Sequence, residues 1–145
     1  MDHIREFLSS TKSNLDAVIS RLYPKIILPH VDLHGKRALV TGANTGLGKT
    51  IATSFAGQGA EVYLLCRNAQ KAEEARQDIV KETGNDNVFV EIFDVGSLAS
   101  VRAFAERWNQ RNGEDKKIDI LVNNAGGPFV SIFMQNLQLA QIFKV

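Results

Sequence analysis

Phosphate recognition is the chemistry that the residue types in this chain support best. Gly42, Gly46 and Gly48 punctuate the run Thr41-Gly42-Ala43-Asn44-Thr45-Gly46-Leu47-Gly48, which lies between a short apolar run and a segment of helical pattern. Glycines there let the backbone turn tightly and approach a ligand. The start of the following helix offers unpaired N–H groups and the positive end of a dipole, both suited to a pyrophosphate. The spacing is G-x-x-x-G-x-G, not the G-x-G-x-x-G of many dinucleotide folds. A second reading occupies the same residues. Ala43-x-x-x-x-Gly48-Lys49-Thr50 differs only at its first position from the phosphate loop G-x-x-x-x-G-K-[ST] of nucleoside triphosphate hydrolases. There Lys49 would reach the phosphates and Thr50 would hold magnesium. Both readings place phosphate at one helix end, so other residues must decide between them.

Arg67 is the first of these. It follows the apolar run Glu61–Cys66 and lies 19 residues after Gly48. In dinucleotide folds this region reads the adenosine ribose: a carboxylate binds the 2′-hydroxyl of NAD, whereas an Arg accommodates the 2′-phosphate of NADP. A guanidinium suits a phosphate, and no acid occupies the position, so NADP is favoured over NAD. Asp94, followed by Val95, ends a third apolar run and could accept from an adenine amino group. It could equally be a loop or capping residue ahead of Ser97. Asn123-Asn124-Ala125-Gly126 follows a fourth run. Its amides can tie neighbouring strands together, and its small residues leave room for a flat ligand. His30 and His34 are four apart, but Pro29 and Gly35 argue against a shared helical face, and no acid or Cys cluster completes a metal site.

The elements that must position these residues alternate. Arg37–Thr41, Glu61–Cys66, Val88–Phe93 and Ile118–Val122 read as buried strands. Residues 46–57 read as a helix. A second helix is capped by Asn68 and runs to about Thr83, with Gly84 at its end. A third is capped by Ser97, carries the stripe Leu98, Val101, Phe104, Ala105 and Trp108, and ends at Gly113. Strands alternating with helices call for an α/β fold with a parallel sheet. Right-handed crossovers place the strands in the order 3-2-1-4, an incomplete doubly wound, Rossmann-like sheet of about four strands with helices on both faces. Before this domain, residues 1–35 form an amphipathic helical arm, or two short helices broken near Ser9–Ser13 and ended by Pro24 and Pro29. After it, residues 128–145 form an apolar tail of helical character whose only charge is Lys144.

Composition narrows the function classes. The chain has 145 residues, 17 basic and 16 acidic, for a formal charge of +1. That balance gives no strong pull toward nucleic acid or an anionic membrane. The charges of the N-terminal helix also balance, which leaves contact with a membrane surface open without favouring it. No stretch reaches the roughly 20 apolar residues of a membrane span. The lone Cys66 cannot bridge internally and fits a reducing compartment. A cytoplasmic location is expected, with a dinucleotide as the partner and homo-oligomerisation left open.

Together TGANTGLG (41–48), Cys66-Arg67, Asp94-Val95 and NNAG (123–126) resemble the short-chain dehydrogenase/reductase family, and the wording ANTGLGKT and LLCRN is most similar to its retinol dehydrogenase-like branch. The resemblance covers about Gly35–Gly127. It implies an NADP(H)-dependent oxidoreductase acting on an alcohol or carbonyl, with residues 36–127 as the cofactor domain. It implies further that Gly42, Asn44, Thr45, Gly46, Leu47 and Gly48 line the pyrophosphate and ribose. Arg67 would bind the 2′-phosphate, Asp94 and Val95 the adenine, and Asn124, Ala125 and Gly126 the adenosine ribose side. The phosphate-loop reading loses ground, because it gives Arg67 and NNAG no role.

Such enzymes transfer hydride with a Ser and a Tyr-x-x-x-Lys pair well beyond NNAG, the Tyr exchanging the substrate proton and the Lys lowering its pKa. Here Tyr23 is followed four positions later by Ile27 and Tyr63 by Arg67, and Asn136 comes too soon after Asn124 for the family's later helical Asn. No residue is assigned a catalytic role. The expectation is a truncated or mis-spliced product with an unrelated tail after Gly127 that binds the cofactor only, with a non-catalytic dinucleotide-binding fragment as the alternative.

Overall fold

The structure, a computed structural model, describes residues 31–126. The expected tail over 128–145 and nearly all of the arm over 1–35 lie outside these residues. Four strands and three helices alternate: β1 (Arg37–Thr41), α1 (Gly46–Gly57), β2 (Glu61–Cys66), α2 (Ala69–Thr83), β3 (Val88–Ile92), α3 (Leu98–Asn109) and β4 (Ile120–Val122), with a 3-10 turn at Gly113–Lys116 before the last strand. The strands form one parallel sheet in the order β3-β2-β1-β4. β1 pairs with β2 from Arg37 opposite Glu61 to Thr41 opposite Leu65, and with β4 from Ala38 opposite Ile120 to Val40 opposite Val122.

Period-two alternation sends each strand's side chains to two different layers. Val40, Val62, Leu64, Cys66 and Val88 face α1 and α2, which meet them with small residues, Ala52, Ala56, Ala72 and Ala75, and with Ile79. The alanines let both helices lie close to the sheet. Leu39, Tyr63, Leu65 and Phe93 face the other way, against Val101, Phe104 and Trp108 of α3. This second layer is aromatic. The Tyr63 and Trp108 rings meet edge-on at 4.8 Å, and Phe93 meets Phe104 at 5.4 Å, both within the favourable range for aromatic pairs. Strands covered on both faces read as continuous apolar runs, which is why β1 and β2 stand out in the sequence.

Helix ends follow local chemistry. Asn68 Oδ1 accepts from the Lys71 amide at 2.9 Å, and Ser97 Oγ from the Ser100 amide at 3.3 Å. Gly84 closes α2 in the left-handed conformation, φ 71°, which glycine adopts without strain. Gly113 does not end α3 as expected. The helix stops at Asn109, and Gly113, at φ 48°, opens the 3-10 turn instead. That turn is fastened by Arg37, whose Nη1 donates to the carbonyls of Glu114, Asp115 and Lys117 at 2.7–3.1 Å. Asp119 Oδ2 accepts from the Arg37 amide at 3.0 Å, which aligns β4 with the start of β1. Strand four is therefore shorter than expected: Asp119 serves its anchorage, and Ile118 packs on the aromatic layer. Among the described residues no helix is long and apolar enough to cross a membrane.

Trp108 is 1% exposed, and its indole N–H donates to the Lys116 carbonyl at 2.8 Å. Trp108→Ala should cost about 3–5 kcal/mol by emptying the aromatic layer. Urea unfolding followed by circular dichroism measures it, and a loss below about 1 kcal/mol would contradict this packing.

Candidate functional site

The chain leaves β1 toward β2 on one side and arrives at β4 on the other, so the sheet's connections reverse between β1 and β4. In open α/β sheets the crevice outside the carboxyl ends of strands at such a point is where ligands bind. Here the Gly-rich turn after β1 and the NNAG run after β4 meet there.

Their meeting is close. Gly42 takes φ 66° and Gly46 φ 55°, the left-handed region, which turns the chain back over the strand end. The Gly42 amide donates to the Leu65 carbonyl at 2.8 Å and ties the turn to β2. Asn124 Nδ2 donates to the Thr41 carbonyl at 3.0 Å and ties it to β4. The Thr41 hydroxyl, fully buried, accepts from the Ala125 amide at 2.9 Å and donates to the Val122 carbonyl at 3.4 Å. A Cβ on Gly48 would lie 2.5 Å from both Asn124 Nδ2 and the Gly42 carbonyl oxygen, and one on Gly42 would lie 3.1 Å from Ala125 Cα. Proximity requires glycine at Gly48, and the left-handed backbone favours it at Gly42.

α1 begins here without a side-chain cap. Thr45 occupies the N-cap position, makes no cap hydrogen bond, and no acid lies in the first turn. Its leading N–H groups and positive dipole end are left for an anion. Thr45, Gly46 and Leu47 are exposed, and Leu47 at 69% is the most exposed large apolar side chain among the described residues. Asn44 is half-buried at the turn.

The other expected residues fall along the same carboxyl edge. Arg67, directly after β2, is exposed and has no hydrogen-bond or ion-pair partner among the described residues. Asp94, after β3, is exposed, and its carboxylate accepts from the Gly96 amide at 2.9 Å. It shapes that turn, while Ser97, not Asp94, caps α3. Val95 packs its side chain on the aromatic layer. Gly126 is exposed at the end of the described chain.

Lys49 and Thr50 do not serve the turn. Lys49 Nζ pairs with Asp78 of α2 at 2.6 Å, and the Thr50 hydroxyl donates back to the Gly46 carbonyl at 3.2 Å. The lysine that the phosphate-loop reading needs is held on the outer side of α1.

Two residues of the site belong to the sequence motifs but were given no role there. The thiol of Cys66, 2% exposed, is pushed up in pKa by burial, against the pull of the Ala43 and Asn44 backbone amides that face its sulphur. It therefore supports the Gly-rich turn from below. Thr41 reads in sequence as the polar end of an apolar run, and that mismatch, a hydroxyl in a buried strand, is the signal that it bridges something.

The sequence model described as short chain dehydrogenase matches residues 36–145, which takes in every described strand and helix. The chain belongs to the short-chain dehydrogenase/reductase family. The match runs through 128–145, so the tail expected to be unrelated falls within the family match. Mouse retinol dehydrogenase 11 is 47% identical over 97 residues, 67% of this chain, in keeping with the retinol dehydrogenase-like branch. The chain spans 30% of the length of that relative. Among solved structures, L-sorbose reductase from Gluconobacter frateurii, complexed with NADPH and L-sorbose, aligns with a TM-score of 0.66 at 27% identity, covering 79% of this chain and 48% of its own. An NAD+-bound xylitol dehydrogenase aligns at 0.57 and 31%, covering 67% and 35%.

In this family member two glycines of one helix should respond oppositely. Gly48→Ala pushes a methyl group into backbone and should cost about 1–3 kcal/mol. Gly57→Ala meets only Thr83 Cγ2 at 3.7 Å and should be neutral or stabilise by up to about 1 kcal/mol through helix propensity. Urea midpoints of both variants check this, and equal effects would contradict the close approach.

Proposed function

We propose that this chain binds NADP(H), as the cofactor-holding part of an oxidoreductase that interconverts an alcohol and a carbonyl. The observation that carries the reading is the combination of an uncapped α1 N-terminus free of acids with Arg67, a cation without a partner among the described residues, at the end of the neighbouring strand. The residues present fit such a group. Gly42 and Gly48 keep the backbone open where a Cβ would fill the turn. The N–H groups at the start of α1, with Asn44 and Thr45, hold the pyrophosphate. Arg67 takes the 2′-phosphate, whose charge it can meet with two parallel N–H donors. Asp94 and Val95 border the adenine, and Asn124, Ala125 and Gly126 the ribose. Leu47 loses its exposure against the cofactor. The retinol dehydrogenase names of the relatives, and the NADPH held by the L-sorbose reductase, support the choice of reaction and cofactor.

When bound, the nicotinamide supplies or accepts hydride. The proton that accompanies it needs a donor, and among the described residues none is placed to serve. Tyr63, the one described tyrosine, lies on the aromatic layer near the opposite end of the strands, where its hydroxyl donates to Glu61 at 2.6 Å and accepts from Arg111 at 2.9 Å.

Titration of the purified chain with NADPH, NADH and Mg-ATP, followed by cofactor fluorescence or calorimetry, tests this. Saturable binding should favour NADPH, and Arg67→Ala should weaken it about tenfold or more while sparing NADH. Preference for NADH, or for Mg-ATP, would overturn it.

A further inference from the structure

Asn112 is followed by Gly113, and no other Asn of the chain precedes a glycine. Both residues are exposed, between the end of α3 and the 3-10 turn. The Asn112 side chain makes no cap bond to the turn it precedes, and it has no other hydrogen bond among the described residues. The Gly113 amide likewise has no acceptor among the described residues. A Cβ built on Gly113 would meet nothing within 4 Å, so the space beside this backbone is open. Other asparagines are held. Asn68 Oδ1 accepts from the Lys71 amide. Asn85 Nδ2 donates to the Ala56 and Ala60 carbonyls, each at 2.9 Å, and its Oδ1 accepts from the Asn87 amide. Asn124 Nδ2 donates to the Thr41 carbonyl, and the next amide, that of Ala125, donates to the Thr41 hydroxyl. At Asn112 both the side-chain amide and the following N–H are uncommitted, and glycine puts no side chain between them.

We propose that Asn112 is a site of spontaneous modification, where it loses ammonia and becomes aspartate or isoaspartate. The Gly113 amide nitrogen gives its proton to water and bonds to Asn112 Cγ. The Cγ–Nδ2 bond breaks, and Nδ2 leaves as ammonia with a proton from water. A cyclic imide remains, in which the Gly113 nitrogen bridges Cγ and the Asn112 carbonyl carbon. Water then opens it. Cleavage at Cγ restores the chain with aspartate at 112. Cleavage at the carbonyl carbon leaves Gly113 joined through the side chain, as isoaspartate. Nothing is oxidised or reduced, and water is the only co-reactant.

The two products differ in consequence. Aspartate has the shape of asparagine and leaves the main chain intact. Isoaspartate adds a methylene to the main chain at the head of the 3-10 turn. There the Asn112 carbonyl accepts from the Asp115 amide at 2.9 Å, the carbonyls of Glu114, Asp115 and Lys117 hold Arg37, and that of Lys116 holds the Trp108 indole. Lengthening the chain at this point moves these bonds out of register and loosens the lead-in to β4, the strand that Asn124 follows.

The full chain is incubated in mildly alkaline buffer, where the amide proton is lost more readily. Its peptides are followed by mass spectrometry, with chromatographic separation of aspartyl from isoaspartyl forms. Asn112 should lose ammonia at least about tenfold faster than Asn68, Asn85 or Asn124, the factor that a barrier lower by about 1.4 kcal/mol gives. Asn112→Gln, whose longer side chain must close a larger ring, should keep its amide. Isoaspartyl chain should exchange the amides of Gly113–Lys116 and β4 faster than fresh chain, whereas Asn112→Asp should exchange as the wild type does. Conversion at Asn112 no faster than at the held asparagines overturns the site, and so does conversion that appears only after unfolding in urea. Isoaspartate with unchanged exchange overturns its effect on β4.

Discussion

The close approach of the β1–α1 turn to the end of β4 is the constraint on which the rest of the site depends. Gly48 sits where even a methyl group would collide with Asn124 Nδ2 and the Gly42 carbonyl. That leaves no room for drift: the start of α1, the end of β1 and the NNAG run are held as one body. The Thr41 hydroxyl and the Asn124 amide complete the bond between neighbouring strands from both sides. Because these polar groups are satisfied by each other, the N–H groups at the start of α1 are the ones left facing outward. An open helix end is then a consequence of how the strands are tied.

The two ends of the sheet divide labour. At the amino ends, charge is spent on structure. Arg37 pairs with Glu61 at 2.8 Å, and Arg111 donates to the Tyr63 hydroxyl at 2.9 Å while stacking over Trp108 at 3.8 Å. A groove of about 390 Å3 lies there, lined by Arg37, Glu61, Tyr63 and Arg111, whose charges already have partners. At the carboxyl ends the pattern reverses, and Arg67 and the Asn68 NH2 group stand without partners among the described residues. The Lys49–Asp78 pair belongs to the structural side of this division. It joins α1 to α2 and takes from the turn the lysine that would have made it a triphosphate loop.

Most of the fold was legible because each strand and helix has its own local signal. β1, β2, α1 and α2 match their sequence bounds, since β1 and β2 are buried on both faces and Asn68 and Gly84 punctuate α2 by side-chain and backbone chemistry. The strand order follows from crossover handedness, which is independent of side chains. The misses are tertiary. Gly113 looks like a helix stop but serves a 3-10 turn held by Arg37, a residue 76 positions earlier in the chain. Asp119 looks like strand and acts as its anchor. In the site, the glycines and Arg67 are visible by type and spacing. Thr41 and Cys66 were visible as members of their motifs but without a role, because a bridge between strands or a sulphur beneath a turn leaves no periodic trace.

Hydrogen exchange of the whole chain with and without NADPH tests the central claim most directly, since it reads every backbone amide at once. Added protection should appear over 42–48 and 124–126 and around Arg67, and the 3-10 turn at Gly113–Lys116 should be unchanged. Protection confined to the amino ends of the strands, around Arg37, Glu61 and Arg111, would contradict the placement of the cofactor at the switch between β1 and β4.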